Sequence, residues 1–181
     1  TYFDSPGHVA VVDGISPDGF HSDFNLDGKP EMVVSHVKLS LMQIIKMLVT
    51  KTVNLNLDVY SIDKSGLYGK TPEKQISFSM VFSLGSSEGS TTSSSMLNMN
   101  ADFNGDDIND LIVTSDDDEL TIILGDEKDY FDYDHSIEFE SDILKKHFKH
   151  KFEDLNSDKK TDLIMIFPEE RQIILLESDI E

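Results

Sequence analysis

The chain has 181 residues and no cysteine. Without thiols it can form neither a disulfide framework nor a thiolate zinc site, and its redox compartment stays open. It also lacks any run of about 18 apolar residues, the length that a transmembrane helix needs. Its most apolar stretch, LSLMQIIKMLV, is shorter and is interrupted by Gln43 and Lys46. These absences exclude disulfide-rich scaffolds, thiolate metal sites and helical membrane insertion.

Basic residues are scarce, with 15 Lys and Arg against 35 Asp and Glu, so the net charge is -20. Such a chain repels nucleic acid and anionic membranes and attracts cations. A second interpretation is that the acidic residues serve only solubility. The positions of these residues in the sequence decide between cation binding and solubility. An apolar content of 38% is enough for one folded region with its own core. We therefore expect a single region over residues 1–181, without a nucleic-acid partner.

Three stretches of the sequence repeat one another. DFNLDGKPEMVV begins at residue 23, DFNGDDINDLIV at residue 102 and DLNSDKKTDLIM at residue 154. All share the pattern D-x-N-x-D-x-x-x-[DE], followed by three apolar residues. An acidic chain produces one such acidic run by accident, but not three with the same apolar continuation.

The second repeat, residues 96–140, is the most complete. SMLNMNADFN has the pattern of a strand entering the acidic loop, and DLIVTS and LTIILGD form the next two strands around the turn DDDE. SIEFES follows as a fourth strand after an aromatic linker, YFDYDH. The third repeat, 148–181, has the same order but stops after its third strand, so it is incomplete.

The first repeat, residues 18–84, carries an insertion. Apolar residues at helical spacing predict a helix over 39–51, namely Leu41, Ile44, Ile45 and Leu48. This helix either packs as a lid on its own repeat or binds a partner. The segments VNLNLDVYSID and ISFSMVF alternate like strands and complete the repeat.

Two segments connect the repeats. GSSEGSTTSSS, residues 85–95, is a flexible loop by composition. SDILKKHFKH, residues 141–150, predicts a short helix between the second and third repeats.

The acidic loops have the ligand pattern that calcium prefers. Calcium takes six to eight hard oxygen ligands, and in a tight loop the side chains at positions 1, 3 and 5 turn inward together, while position 7 offers its backbone carbonyl and position 9 a carboxylate. Unliganded, these carboxylates repel one another, and a divalent ion removes the repulsion. The predicted ligands, in loop order, are Asp23, Asn25, Asp27, Lys29 and Glu31; Asp102, Asn104, Asp106, Ile108 and Asp110; and Asp154, Asn156, Asp158, Lys160 and Asp162.

Position 6 of each loop needs a left-handed backbone, which favours glycine and tolerates Asn or Asp. Gly28 fits, Asp107 is tolerated, and Lys159 is worse by roughly 1 kcal/mol. We therefore predict two calcium sites and a weaker third. The competing interpretation is that the loops are metal-free Asx-turns.

An EF-hand is the obvious rival, because it also places oxygens at alternate positions. It requires a bidentate Glu at position 12 and a helix after the loop. Position 12 is Val34, Val113 and Met165, and short β-rich segments follow. This excludes EF-hand sensors and dockerin-like modules.

Loop and strands together identify a family. DFNGDDINDLIVTSDDDELTIILGDEKDYF resembles the VCBS/FG-GAP repeat of integrin-α-like β-propellers, in which D-x-N-G-D-G-x-x-D-L precedes a turn, a strand ending in Leu-Gly and an aromatic residue. The resemblance implies a mainly β fold: a partial β-propeller of about three four-stranded blades, with the calcium loop between the first two strands of each blade.

Three repeats cannot close a propeller ring, for which seven blades of roughly 40 to 60 residues are usual. We therefore expect part of a larger propeller, in which HVAVVDGI, residues 8–15, is a strand of a neighbouring blade. Exposed blade edges would then invite self-association between chains.

No motif in the sequence predicts a catalytic site. GSSEG matches G-x-S-x-G around Ser87, but no helix follows it. His147 and His150 share one face of the predicted helix, yet lysines surround them and disfavour a metal. We therefore expect a non-catalytic module.

Three functional hypotheses remain. The first is a calcium-stabilised binding or adhesion scaffold, extracellular, at the cell surface or periplasmic, with a protein or carbohydrate ligand. The second is an accessory propeller region of a larger secreted enzyme whose catalytic domain lies elsewhere. The third is an acidic structural domain without metal.

Overall fold

The computed structural model describes residues 19–38, 40–81, 97–116, 119–146 and 148–180. Within these ranges the strands form three antiparallel sheets, of four, four and three strands, and the prediction of a mainly β fold is confirmed. The described strands do not close into a barrel or a propeller ring. The chain divides into two compact units: sheet 1 with its helix, and sheets 2 and 3 together with Phe24–Leu26.

Sheet 1 is a meander in chain order. Its strands are β1 (Gly19–Ser22), β2 (Glu31–His36), β3 (Thr52–Tyr60) and β4 (Lys74–Val81). Val33, Leu57 and Val59 are fully buried, and the register pairs Val33 with Val59. Apolar residues at alternate positions thus give this sheet its buried face.

The inserted helix of the first repeat is α1 (Leu41–Thr50), which lies between β2 and β3. It begins with a capping box, in which the backbone N–H of Gln43 donates to the Ser40 hydroxyl at 3.2 Å and the Gln43 side chain accepts from the Ser40 N–H at 2.9 Å. It ends at Lys51, whose φ of 54° is left-handed. None of its residues is buried, so the helix buries little of its apolar surface within the described structure. No described helix has the length and apolarity to cross a membrane.

Sheet 2 repeats the meander. Its strands are β5 (Leu97–Ala101), β6 (Asp110–Asp116), β7 (Glu119–Asp126) and β8 (Tyr130–Glu140). The prediction of an aromatic linker was wrong, because YFDYDH is the first half of β8. Tyr130 pairs with Asp126 and Phe131 with Gly125, and a register shift between Ile122 and Leu124 lets the ladder continue to Glu140. Aromatic residues favour this half-buried pleated environment over a loop.

Sheet 3 has three described strands, as its shorter repeat predicts. They are β9 (Lys149–Glu153), β10 (Asp162–Phe167) and β11 (Gln172–Leu176), with β10 in the centre. The predicted helix over 141–150 was wrong: a single 3-10 turn covers Asp142–Lys145, and β9 has begun by Lys149. The β9–β10 ladder runs from Lys149 opposite Ile166 to Glu153 opposite Asp162. Pairing with β10 therefore favours a strand over the helix that the sequence pattern predicts, and that helix would place several lysines close together.

Sheets 2 and 3 share one hydrophobic core. The rings of Phe148 and Phe167 lie 5.4 Å apart, and those of Phe103 and Phe152 lie 6.1 Å apart with one edge towards the other. The buried cluster consists of Ala101, Phe103, Ile112, Leu120, Leu144, Phe148, Leu163, Met165 and Phe167. The second and third repeats therefore bury their apolar faces jointly.

Candidate functional site

Each acidic loop joins the first two strands of its sheet. The loops lie between β1 and β2, between β5 and β6, and between β9 and β10. Position 9 is the first residue of the second strand in every case: Glu31, Asp110 and Asp162. This is the loop position that the VCBS/FG-GAP resemblance implies.

In the second loop the side chains at positions 1, 3 and 5 are held by the loop's own backbone. Asp102 accepts from the N–H of Gly105 at 2.6 Å and from the N–H of Asp107 at 2.9 Å. Asp106 accepts from the N–H of Ile108 at 2.8 Å. The Asn104 amide donates to Asp106 at 2.9 Å and accepts from the Asp106 N–H at 3.2 Å. The oxygens at positions 1, 3 and 5 are thereby oriented by one tight turn.

The third loop repeats these bonds. Asp154 accepts from the N–H groups of Ser157 at 2.7 Å and Lys159 at 3.0 Å. Asn156 donates to Asp158 at 3.0 Å, and Asp158 accepts from the Lys160 N–H at 2.8 Å. Two loops of different sequence at positions 2, 4, 6, 7 and 8 thus adopt one hydrogen-bond pattern.

The first loop shares two of these bonds, those from the N–H groups at positions 6 and 7 to the aspartates at positions 1 and 5, and also has a bond from position 5 to position 1. Asp23 accepts from the N–H of Asp27 at 3.0 Å and from that of Gly28 at 2.8 Å. Asp27 accepts from the Lys29 N–H at 2.9 Å. Asn25, at position 3, is half-buried and belongs to the unit that contains sheets 2 and 3.

The backbone at position 6 is left-handed in all three loops, as predicted. The φ angles are 84° at Gly28, 68° at Asp107 and 73° at Lys159. Only glycine adopts this conformation without steric cost, so Asp107 and Lys159 are strained there.

Position 4 is left-handed as well, which the sequence interpretation missed. The φ angles are 54° at Leu26, 79° at Gly105 and 66° at Ser157. The glycine Gly105 indicates a left-handed backbone at position 4. The other two loops have Leu26 and Ser157 at this position, and these residues give no such indication. Each loop therefore contains two left-handed turns, two residues apart.

Position 9 is buried and its oxygens are engaged. Asp110 is fully buried and accepts from the backbone N–H groups of Phe103 at 2.6 Å and Gly125 at 2.7 Å. Asp162 is also fully buried and accepts from Leu155 at 2.9 Å and Ser178 at 3.0 Å. This carboxylate ties the start of the loop to the chain at or just beyond the end of the third strand.

Burial raises the pKa of Asp110 to about 7. The hydrogen bonds from Gly125 and Phe103 oppose this shift, while the negative charges of Asp102 and Asp106 add to it. The carboxylates at positions 1 and 5 of this loop are therefore close enough to repel the one at position 9.

The chemistry of positions 1, 3 and 5 suits a hard cation. Each carboxylate oxygen has two lone pairs, and one N–H bond leaves the other available. In the described parts of the chain, no group of three or more His, Cys, Asp or Glu side chains is arranged to hold a metal ion. The predicted ligand set stays a prediction: the carboxylates at positions 1, 5 and 9, the position 3 amide oxygen and the position 7 carbonyl.

The second and third loops also contact each other. The Thr161 N–H donates to the Asp102 carbonyl at 2.6 Å, and the Asp102 N–H donates to the Thr161 hydroxyl at 3.1 Å. The Ser178 hydroxyl donates to the Phe103 carbonyl. The third repeat thus covers the start of the second loop.

Sheet 1 contains a buried polar group that sequence inspection did not find. His36 Nε2 lies 3.1 Å from Asp58 Oδ2, and the Gln75 amide donates to the other Asp58 oxygen at 2.8 Å. The strand register makes His36 and Asp58 diagonal neighbours on adjacent strands. Their separation along the chain hid this pair, which only the register of β2 and β3 brings together.

The weaker catalytic candidates gain no support. Ser87 and His147 lie outside the described residues. His150 lies in β9 rather than in a helix, with its ring 5.4 Å from that of Phe152.

No protein-family model, curated protein or solved structure matches this chain. The likeness to VCBS/FG-GAP repeats accordingly rests on the chain's own loop pattern and strand order.

Proposed function

We propose that this chain is a non-catalytic, calcium-binding repeat module whose sheets are blades of a partial β-propeller. The observation that carries the proposal is the agreement of three loops. They share a sequence pattern, a place in the sheet, two left-handed residues and the bonds that the N–H groups at positions 6 and 7 donate to the aspartates at positions 1 and 5. Because the three loops have the same shape, we expect them to bind the same kind of ligand.

Electrostatics supports a cation as that ligand. The chain carries a net charge of -20, and in the second loop Asp102 and Asp106 repel the buried Asp110. A divalent ion between positions 1, 3 and 5 would remove this repulsion. It would also hold the end of the first strand next to the start of the second. Calcium thus stabilises the blade and does not switch it between two conformations.

Calcium loops of this kind suit the millimolar calcium outside cells. We therefore place the module outside the cell, at its surface or in a periplasm, where it acts as a binding or adhesion scaffold for a protein or carbohydrate. The loops stabilise the scaffold, while the ligand binds elsewhere on it.

Melting of the protein in 5 mM calcium and in EDTA tests the proposal. An ion that binds only the folded state stabilises it by roughly 2 to 4 kcal/mol at 100 to 1,000 times its dissociation constant. We expect Asp106→Asn, which keeps the acceptor for Ile108 but removes a charge, to reduce this calcium-dependent rise in melting temperature.

Glu127→Gln is the matched control. It removes the same charge from an exposed position in the turn between β7 and β8. Equal melting temperatures in calcium and EDTA would contradict calcium binding. Equal losses in both variants would mean that overall acidity, and not the loop, attracts the ion.

A further inference from the structure

Among the described strands, β11 is the outer strand of sheet 3. In sheets 1 and 2 the third strand pairs with a fourth, as β7 does with β8 from Glu119 to Asp126. β11 occupies the third place of its own sheet, and no described strand pairs with its outer edge. An edge of this kind presents unpaired N–H and C=O groups that can accept another strand.

The side chains of β11 leave this edge unprotected. Ile174 and Leu176 pack against the shared core, whereas Ile173 is 71% exposed and Leu175 is 42% exposed. Ile166 lies opposite Ile173 on β10 and is 38% exposed. Edge strands are commonly protected by lysine, proline or an inward charge, and residues 172–176 contain none of these.

Charges flank the strand in a self-complementary order. Arg171 precedes β11 and Glu177 follows it, each three residues from Ile174, and both are exposed. Arg171 ends the turn before β11 and has a left-handed φ of 55°. In an antiparallel pair of two β11 strands centred on Ile174, Arg171 of each copy comes to the same end of the pair as Glu177 of the other. A parallel in-register pair would place like charges together at both ends.

We propose that β11 is a docking edge for a second copy of this chain, whose own β11 pairs with it antiparallel about Ile174. The two-fold axis makes every contact occur twice. Ile173 of each copy lies opposite Leu175 of the other, with the Arg171–Glu177 pairs at both ends. Two three-stranded sheets become one continuous sheet, and the open edges cover each other.

The association is expected to be weak. A pair of five-residue strands forms a small interface, below the area of a standard stable complex. The net charge of each copy opposes approach, but at about 0.15 M salt this long-range repulsion is screened beyond roughly 8 Å. Ion pairs in contact are screened less.

Sedimentation equilibrium of residues 1–181 from about 10 μM to about 1 mM at that salt concentration tests the proposal, in a range that suits a micromolar dissociation constant. We expect a monomer–dimer equilibrium. Arg171→Glu and Glu177→Arg should each weaken dimerisation by about tenfold or more, because each replaces two attractive pairs with two repulsive ones. An equimolar mixture of the two variants should associate again, since the heterodimer restores opposite charges at both ends.

Lys128→Glu and Glu127→Arg are matched controls, which make the same charge changes in the exposed turn before β8. Both should dimerise like the parent chain after allowance for net charge. Far-UV circular dichroism and melting establish that each variant is folded. A chain that stays monomeric throughout, or charge variants that fail to associate when mixed, would overturn the proposal. Equal weakening by the controls would overturn it as well.

Discussion

The second and third repeats build the same loop in different surroundings. Both loops share their hydrogen bonds and a fully buried aspartate at position 9. Phe103 at position 2 of the second loop is 2% exposed, whereas Leu155 at that position of the third is 46% exposed. The third repeat covers the second loop through Thr161 and Ser178, and no described segment covers the third loop in that way. The loop's shape is therefore local, and its burial depends on the next repeat.

The largest difference between the two repeats should appear at position 9. Asp110→Ala leaves the buried N–H groups of Phe103 and Gly125 without acceptors, which should cost about 2 to 5 kcal/mol of unfolding free energy. Asp162→Ala should cost about half as much or less, because its two donors are only partly buried and water can reach them.

Urea denaturation in EDTA measures both losses without a contribution from metal. Asp110→Asn serves as the intermediate control, because it keeps one acceptor of the two. If the two alanine variants lose the same free energy, burial of the donors does not set the cost.

The second-largest loss of stability is expected at the residue outside the loop whose backbone N–H donates to the position 9 carboxylate. A Cβ on Gly125 would lie 2.4 Å from Ile108 Cγ2 and 2.8 Å from the Asn109 carbonyl oxygen. Gly125→Ala should therefore destabilise the protein by about 1 to 3 kcal/mol through overpacking. In the third repeat Ser178 makes the equivalent bond, and Ser178→Ala should lose only about 0.5 to 1.5 kcal/mol with its hydroxyl. Calorimetric melting of both variants checks the order, and a reversed order would contradict it.

The smallest effect lies at position 4, where the repeats differ in residue but not in conformation. Gly105→Ala puts a side chain at a φ of 79° and 3.2 Å from Lys160 Cγ, and should cost about 1 to 2 kcal/mol. Ser157→Gly should stabilise by up to about 1 kcal/mol, since relief of the left-handed strain exceeds the added freedom of the unfolded chain. Opposite shifts in the urea midpoint are expected, and shifts of the same sign would show that the two loops are not equivalent.

Local patterns predicted much of this structure because they act over a few residues. The apolar run after each acidic loop forms β2, β6 and β10, and position 6 is left-handed even where it is lysine. For segments with a mixed pattern, the predicted secondary structure was wrong. The residues around Phe148 have a helical composition, but pairing with β10 makes a strand of the segment that follows. His36 and Asp58 meet only because β2 and β3 pair in one register.

The sequence by itself determined three acidic loops, each followed by a strand, because alternating oxygens and apolar runs dictate a turn and then a ladder. Only the tertiary structure decided that position 9 is a buried anchor, since one of the two donors to each aspartate, Gly125 or Ser178, lies 15 or 16 residues away. It likewise decided which of the described strands lie at the edges of their sheets, because a strand is an edge only once its neighbours are in place.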